Sequence, residues 1–309
     1  MMILHHYEMS PFSEKVRLMF GYAGLQWQSL LSPEMPPRPD LDPIVGGYRR
    51  IPVAQVGADL FCDTRLISEE VAALAGRPEL SPLSADSDTR AFLDDLESRI
   101  FWASVLSIPM GVTLRQLVRS LGWRGTLRFI KDRAGVGRHA RIDTPSPKQA
   151  AQQFREHLEG LEQRLKSDFL YSDSPELADF CAYHTLWFKR EVGGLPLPGG
   201  LPAVDAWYQR MTRFGHGERR EISTAEAVSA ARDNAPRPIA SEDTSDPRIG
   251  SAVSIRPTDY ALDAVEGILV ACSERRYIVA READTAGTVH VHFPRAGFAV
   301  SPLDGARQQ

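Results

Sequence analysis

Ile3-Leu4-His5-His6-Tyr7-Glu8-Met9-Ser10-Pro11-Phe12-Ser13-Glu14-Lys15-Val16-Arg17-Leu18-Met19-Phe20 changes period part-way along. Its first residues are apolar and extended enough for a strand, and Met9-Ser10-Pro11 then turns the chain. From Pro11 the apolar residues Phe12, Val16, Met19 and Phe20 recur at helical spacing. Ser10 suits an N-cap, and Pro11 the first helical position, where a missing N–H is no loss. Glu14 suits the positive end of the helix. The reading is strand, turn, helix, with a hydroxyl at the helix mouth. An anion there, such as a thiolate, meets free N–H groups and the helix dipole.

A second stretch, 48–67, narrows the fold. Ile51-Pro52-Val53 opens a strand, Gly57-Ala58-Asp59 turns it, and Leu60-Phe61-Cys62 returns. Asp63-Thr64 then caps a helix through Ile67, Val71 and Leu74. Together the two stretches resemble the thioredoxin-like N-terminal domain of glutathione transferases. The resemblance rests on Ser-Pro-Phe-Ser at a helix start, a branched residue before a hairpin proline, and an acid–hydroxyl pair at the next helix.

The chain has 309 residues, enough for two domains or more, and an ordinary globular composition of 43% hydrophobic and 25% charged residues. Its net charge of −4 gives no general case for nucleic acid or an anionic membrane. Cys62, Cys181 and Cys272 are widely spaced in apolar surroundings, which reads as inert thiols in a reducing compartment. No stretch reads as a signal peptide or a bilayer span, so a cytoplasmic location is expected.

Strand and helix alternate over 1–78, an α/β thioredoxin-like domain. Residues 76–90 are rich in proline, serine and aspartate and read as a linker. Helical patterns follow, carried by Phe92, Leu93, Leu96, Ile100 and Phe101, then by 111–134, 147–168 and 175–190. An all-helical second domain over 88–231 is expected, as the resemblance implies. Near 176, Asp173 is read as the helix cap, Pro175 as an early helical residue and Glu176 as closing a capping box. Asp179 is read as a structural hydrogen-bonding residue. Residues 232–250 have few apolar side chains and read as a flexible linker. Beyond them, five runs of period two predict a small β-barrel-like domain over 250–309, outside the usual family pattern and folding apart from the rest.

The family resemblance assigns the chemistry. Glutathione is the expected substrate, transferred to a small hydrophobic electrophile, as in detoxification. Ser10 stands where serine-type members stabilise the thiolate; its alternative role is the cap alone. Tyr7 is the rival, with a packed strand residue as its alternative. Ile51 and cis-Pro52 would present main-chain groups to the cysteinyl amide. Asp63 and Thr64 would hold the γ-glutamyl end, and Arg49 or Arg50 the glycyl carboxylate. Phe101, Trp102, Met110 and Phe129 are electrophile-pocket candidates by position between the domains. A homodimer is expected, with neither nucleic acid nor membrane as partner. His5 and His6 point to opposite strand faces, and His290 and His292 lack a third ligand, so no metal is expected. Ser10 and Ser13 stand where thioredoxin relatives carry cysteines, so a disulfide mechanism is not expected. A non-enzymatic member serving as a ligand- or protein-binding module is the alternative.

Overall fold

The computed structural model describes residues 1–142 and 144–303. In the N-terminal part, β1 (Met2–His6), α1 (Pro11–Ala23), β2 (Gln26–Leu31), α2 (Asp42–Val45), β3 (Val53–Val56), β4 (Asp59–Cys62) and α3 (Thr64–Ala75) follow in order. Strand β1 pairs parallel with β2 and antiparallel with β3, and β3 pairs antiparallel with β4. This is the expected thioredoxin-like arrangement. Every side chain of β1 is buried, because both faces of the strand are covered. Its two histidines are held inside by Gln55 and Ser29, each at 2.9 Å. Burial lowers both imidazole pKa values, that of His6 to about 2, with Arg17 adding to the effect.

The caps of α1 and α3 follow the residues read from sequence. Ser10 Oγ accepts the Ser13 N–H at 3.2 Å, and Asp63 accepts the Arg65 N–H at 3.0 Å. Asp63 sits at φ 77° and ψ 137°, a positive-φ conformation outside the left-handed helical region and strained for a residue with a side chain.

The helical region comprises α4 (Ser87–Asp95), a π-turn at Leu96–Ile100, α5 (Phe101–Leu106), α6 (Met110–His139), α7 (Pro147–Arg164), α8 (Leu177–Trp187) and α9 (Pro202–Thr212). Phe154, Leu158, Leu161, Phe180, Leu186 and Trp207 form its interior and continue into the N-terminal core through Phe20 and Leu66. Asp179 is a staple, as expected. Its carboxylate accepts from the N–H groups of Leu170 and Glu176, each at 3.0 Å, and from Trp207 Nε1 at 2.8 Å. The cap itself is Glu176, with Asp179 closing the capping box, and not Asp173. The helix starts at Leu177, so Pro175 precedes the cap and is not an early helical residue.

The expected all-helical span 88–231 needs correction at its end. Glu218–Glu221 forms β5, parallel to β2, and α10 (Thr224–Arg232) packs Ala227 against Ile3 and Leu30 of the sheet. Glu218-Arg219-Arg220-Glu221 has no apolar residue, so no alternation betrayed the strand. The approach to β5 requires glycine. Gly217 has φ +68°, and a Cβ there would lie 2.6 Å from the Leu25 carbonyl oxygen.

The C-terminal region is strand-rich as expected: β6 (Ala252–Pro257), β7 (Val265–Cys272), β8 (Arg276–Ala283), β9 (Gly287–Pro294) and β10 (Phe298–Pro302). Residues 304–309 of the expected 250–309 unit lie outside the described residues. The last strand returns to pair with β6, the order of a small barrel. However, the unit does not stand apart. Strand β9 pairs parallel with β4, through Asp59–His290, Leu60–Val291 and Phe61–His292, to give one ten-stranded sheet. Tyr48, Val53 and Leu60 share a core with Val253, Leu269, Val279, Val291 and Phe293. The 232–250 segment is likewise pinned. The Arg237 N–H donates to Asp59 at 2.9 Å, and its guanidinium donates to Glu70 at 2.8 Å. A period of two reveals which face of a strand is buried but not which strand pairs with its edge.

Candidate functional site

The first turn of α1, through Phe12, the hairpin start and the first turn of α3 converge on one cavity of about 120 Å³. Arg50, Ile51, Pro52, Asp63 and Thr64, all expected from sequence to hold glutathione, line it. Phe12, Tyr48, Arg65 and Glu97 line it as well, and Asp259, Tyr260 and Phe298 close it from the C-terminal region. The Ile51–Pro52 bond is cis.

Ser10 is buried beside this cavity, not in its wall. Its oxygen caps α1, and no described residue accepts its proton. Tyr7 is half-buried, and its carbonyl accepts from the Ser10 N–H at 3.2 Å. Its ring is not part of the cavity wall.

Beneath the α3 end lies a buried charged cluster that the sequence reading missed. Lys15 donates to Thr64 Oγ1 at 2.8 Å and forms an ion pair with Glu97. Burial alone pushes Glu97 up, but Lys15 and Arg65 outweigh it, and the carboxyl falls to about 2. Asp63 behaves in the opposite way. Burial raises it, Glu97 adds to the rise, and Arg65 only partly offsets it. Asp63 therefore gains from a cation placed in the cavity, and Glu97 is already satisfied. Lys15 lies on the inward side of α1 with Val16 and Phe20 as neighbours in sequence. A lysine one helical turn from Phe12 and Met19, and so on the same face as apolar side chains, was the available signal.

Both arginines before the hairpin are engaged. Arg50 pairs with Asp259, donates to the Tyr260 carbonyl at 2.6 Å, and stacks on the Tyr260 ring at 4.1 Å. Arg49 pairs with Asp132, with Asp263 at 3.7 Å.

Two of the electrophile candidates touch residues of the cavity wall without lining it themselves. Phe101 packs on Phe12 at 4.7 Å, and Trp102 meets the Tyr260 ring edge-on at 5.4 Å. Phe129 lies under the Arg133 guanidinium at 4.8 Å, outside the cavity wall. Met110 is corrected. It starts α6 with its side chain in solvent, because α6 turns away there by 92°. His292 is bound to Asp59 at 2.8 Å, and no group of three metal-ligating side chains occurs among the described residues. Nothing in the sequence marked Tyr260 or Asp259, since a loop between two strands carries no periodicity.

Residues 4–79 match the family model described as glutathione S-transferase, N-terminal domain, and residues 132–210 match the C-terminal domain model. A GST-like protein from Pseudomonas syringae has a similar structure, with 33% sequence identity and a TM-score of 0.79. The likeness covers 98% of this chain and 99% of that one. A glutathione S-transferase from Sinorhizobium meliloti is 21% identical, with 69% of this chain and 88% of that one covered, at TM-score 0.45. One from Methylobacillus flagellatus, solved with GSH bound, is 17% identical, with 70% and 99% covered, at TM-score 0.46. No curated protein sequence matches the chain.

Proposed function

The chain belongs to the glutathione S-transferase family, and from that premise we propose that it binds glutathione in the cavity between Arg50 and Thr64 and transfers it to a small hydrophobic electrophile. One observation carries the reading: Arg50, Ile51, Pro52, Asp63 and Thr64 converge on a single cavity beside the mouth of α1. The γ-glutamyl ammonium faces Asp63, whose raised carboxyl gains from a cation. The α-carboxylate takes the first N–H groups of α3 and Arg65. The glycyl carboxylate reaches Arg50.

In this scheme the sulfur lies at the mouth of α1. The Ser10 oxygen accepts from Ser13, which leaves its proton to donate to the sulfur and favour the thiolate. The helix dipole acts in the same direction. The thiolate then attacks the electrophilic carbon beside Phe101 and Trp102. A C–S bond forms, the bond to the leaving group breaks, and the thiol proton is released to solvent. Tyr7 is the rival donor. A homodimer and a cytoplasmic location belong to the same proposal.

A tripeptide needs more room than about 120 Å³, since ligand pockets hold roughly 300–1,000 Å³. The β6–β7 loop, residues 258–264, therefore swings out on binding, and the glycyl carboxylate replaces Asp259 on Arg50. The small cavity also favours a second reading, a non-enzymatic member of the fold that uses this groove for recognition. Glutathione calorimetry combined with a chromogenic aryl-halide conjugation assay separates the two. Binding with turnover supports transfer, binding without turnover supports the second reading, and no binding removes both.

A further inference from the structure

The net charge of the chain conceals a local reversal. Helix α6 carries Arg115, Arg119, Arg124, Arg128, Lys131, Arg133 and Arg138 against one acid, Asp132. It is net +6 in a chain of net −4, so the remainder is −10. The inner side of α6 is fastened to the body through the Arg49–Asp132 pair, buried Thr126 and the Arg133 bond to the Glu34 carbonyl at 3.4 Å. Among the described residues no ion pair engages Arg115, Arg119, Arg124, Arg128, Lys131 or Arg138.

The same outer side is apolar along one row. Met110, Leu114, Val118, Trp123, Leu127 and Ile130 are half of the large exposed apolar side chains among the described residues. Met110 is 80% exposed, Trp123 63% and Leu127 59%. Their spacing places them in a stripe on each side of Gly122, whose φ of 65° and ψ of 173° break the helix. Arg115 and Arg119 flank the first stripe, and Arg124, Arg128, Lys131 and Arg138 the second. The Arg124 guanidinium lies 5.2 Å from the centre of the Trp123 ring.

We propose that α6 is a peripheral membrane-docking helix that lies flat on an anionic phospholipid surface. Helices of this kind set Trp and Leu beside Lys and Arg on one exposed side, sinking the apolar row while the cations meet lipid phosphates. No single described helix is long and apolar enough to cross a membrane, and the pair 87–106 and 110–139, which passes by length and composition only together, is bent by 92°. Each segment of α6, on either side of Gly122, carries its own apolar row with unpaired cations beside it, so each can seat on an anionic surface. A second copy of the chain fits less well, because a two-fold contact through α6 would set its cationic rows against each other.

The test uses the full chain and vesicles of phosphatidylcholine with and without phosphatidylglycerol. Cosedimentation is expected only with phosphatidylglycerol, is expected to weaken with added salt, and should be accompanied by a blue shift of Trp fluorescence that Trp123→Phe abolishes. The double variant Arg124→Gln/Arg128→Gln should bind roughly 25-fold more weakly, from the usual contribution of each surface cation. Arg124→Lys/Arg128→Lys should retain binding, because charge and not guanidinium packing is required. No cosedimentation with either vesicle would overturn the proposal, as would equal binding by the Gln variant. Self-association that the Gln variant abolishes, without vesicle binding, would assign the surface to a second copy instead.

Discussion

Tyr260→Ala should tighten glutathione binding while loosening the fold. Among the contacts that hold the β6–β7 loop over the cavity, three are made by the Asp259 and Tyr260 side chains. The Arg50–Asp259 pair is partly exposed on its acid side, so it contributes about 0–1 kcal/mol. The stacking of Arg50 on Tyr260 at 4.1 Å adds about 1 kcal/mol. The edge-on Tyr260–Trp102 contact at 5.4 Å adds about 1 kcal/mol. If these contacts keep the loop closed by about 2 kcal/mol, the open form is about 3% of the population. Apparent affinity then falls about 30-fold below that of the open site. Removing the Tyr260 ring deletes two of the three contacts. Calorimetric titration should show glutathione affinity rising by about 10–15-fold, as the open form grows from about 3% to about half. Thermal unfolding should show a lower melting temperature, because the buried ring is lost. Tyr260→Phe keeps the ring and should behave as wild type. Unchanged or weaker affinity in a folded Tyr260→Ala variant would refute the closed-loop reasoning and make the ring a permanent wall of the site.

Three further outcomes follow from the structure. Ser10→Ala should raise the pKa of bound glutathione by about 1–2 units, the scale of one hydrogen bond to a charged group. Thiolate absorbance against pH reads this, and an unchanged titration and rate would point to Tyr7. Glu97 is held down to about 2 from an ordinary 4.5, so its stabilisation is complete above pH 4.5 and is lost as pH falls towards 2. At 1.36 kcal/mol per unit this amounts to about 3 kcal/mol, and urea melts of Glu97→Gln should be flatter than wild type across that window, from a lower starting stability. A chain ended near Ala235 loses the partner of β4 and uncovers Tyr48, Val53 and Leu60, so light scattering should show aggregation. A soluble product with an unchanged melting temperature would contradict the shared core.

The thioredoxin-like part was legible because its signals are local. Ser10-Pro11 and Asp63-Thr64 cap helices within a few residues, and those caps also bring the site residues to one place. The buried helix starting near 177 was legible from its apolar run, and Asp179 from the need to satisfy its end. What escaped reading depends on contacts distant in sequence. The pairing of β4 with β9 is made by main-chain groups that every residue possesses. The parallel strand Glu218–Glu221 is polar throughout, and its main-chain pairing is with β2. Tyr260 reaches Arg50 across the chain, and nothing near Tyr260 in sequence announces it. The net charge of −4 does not show the local charge of α6, because it averages that helix with a strongly acidic remainder.

The central claim is that glutathione sits with its γ-glutamyl end at Asp63 and Thr64. Calorimetric titration of glutathione into wild type and Asp63→Ala tests it most directly, with circular dichroism to confirm that α3 survives the loss of its cap. Saturable binding to wild type is predicted, weakened in the variant by about 2–3 kcal/mol, on the order of 30- to 150-fold, as a charged hydrogen bond to the ammonium is lost. Equal affinity in a folded Asp63→Ala protein, or no binding to wild type, would contradict the account.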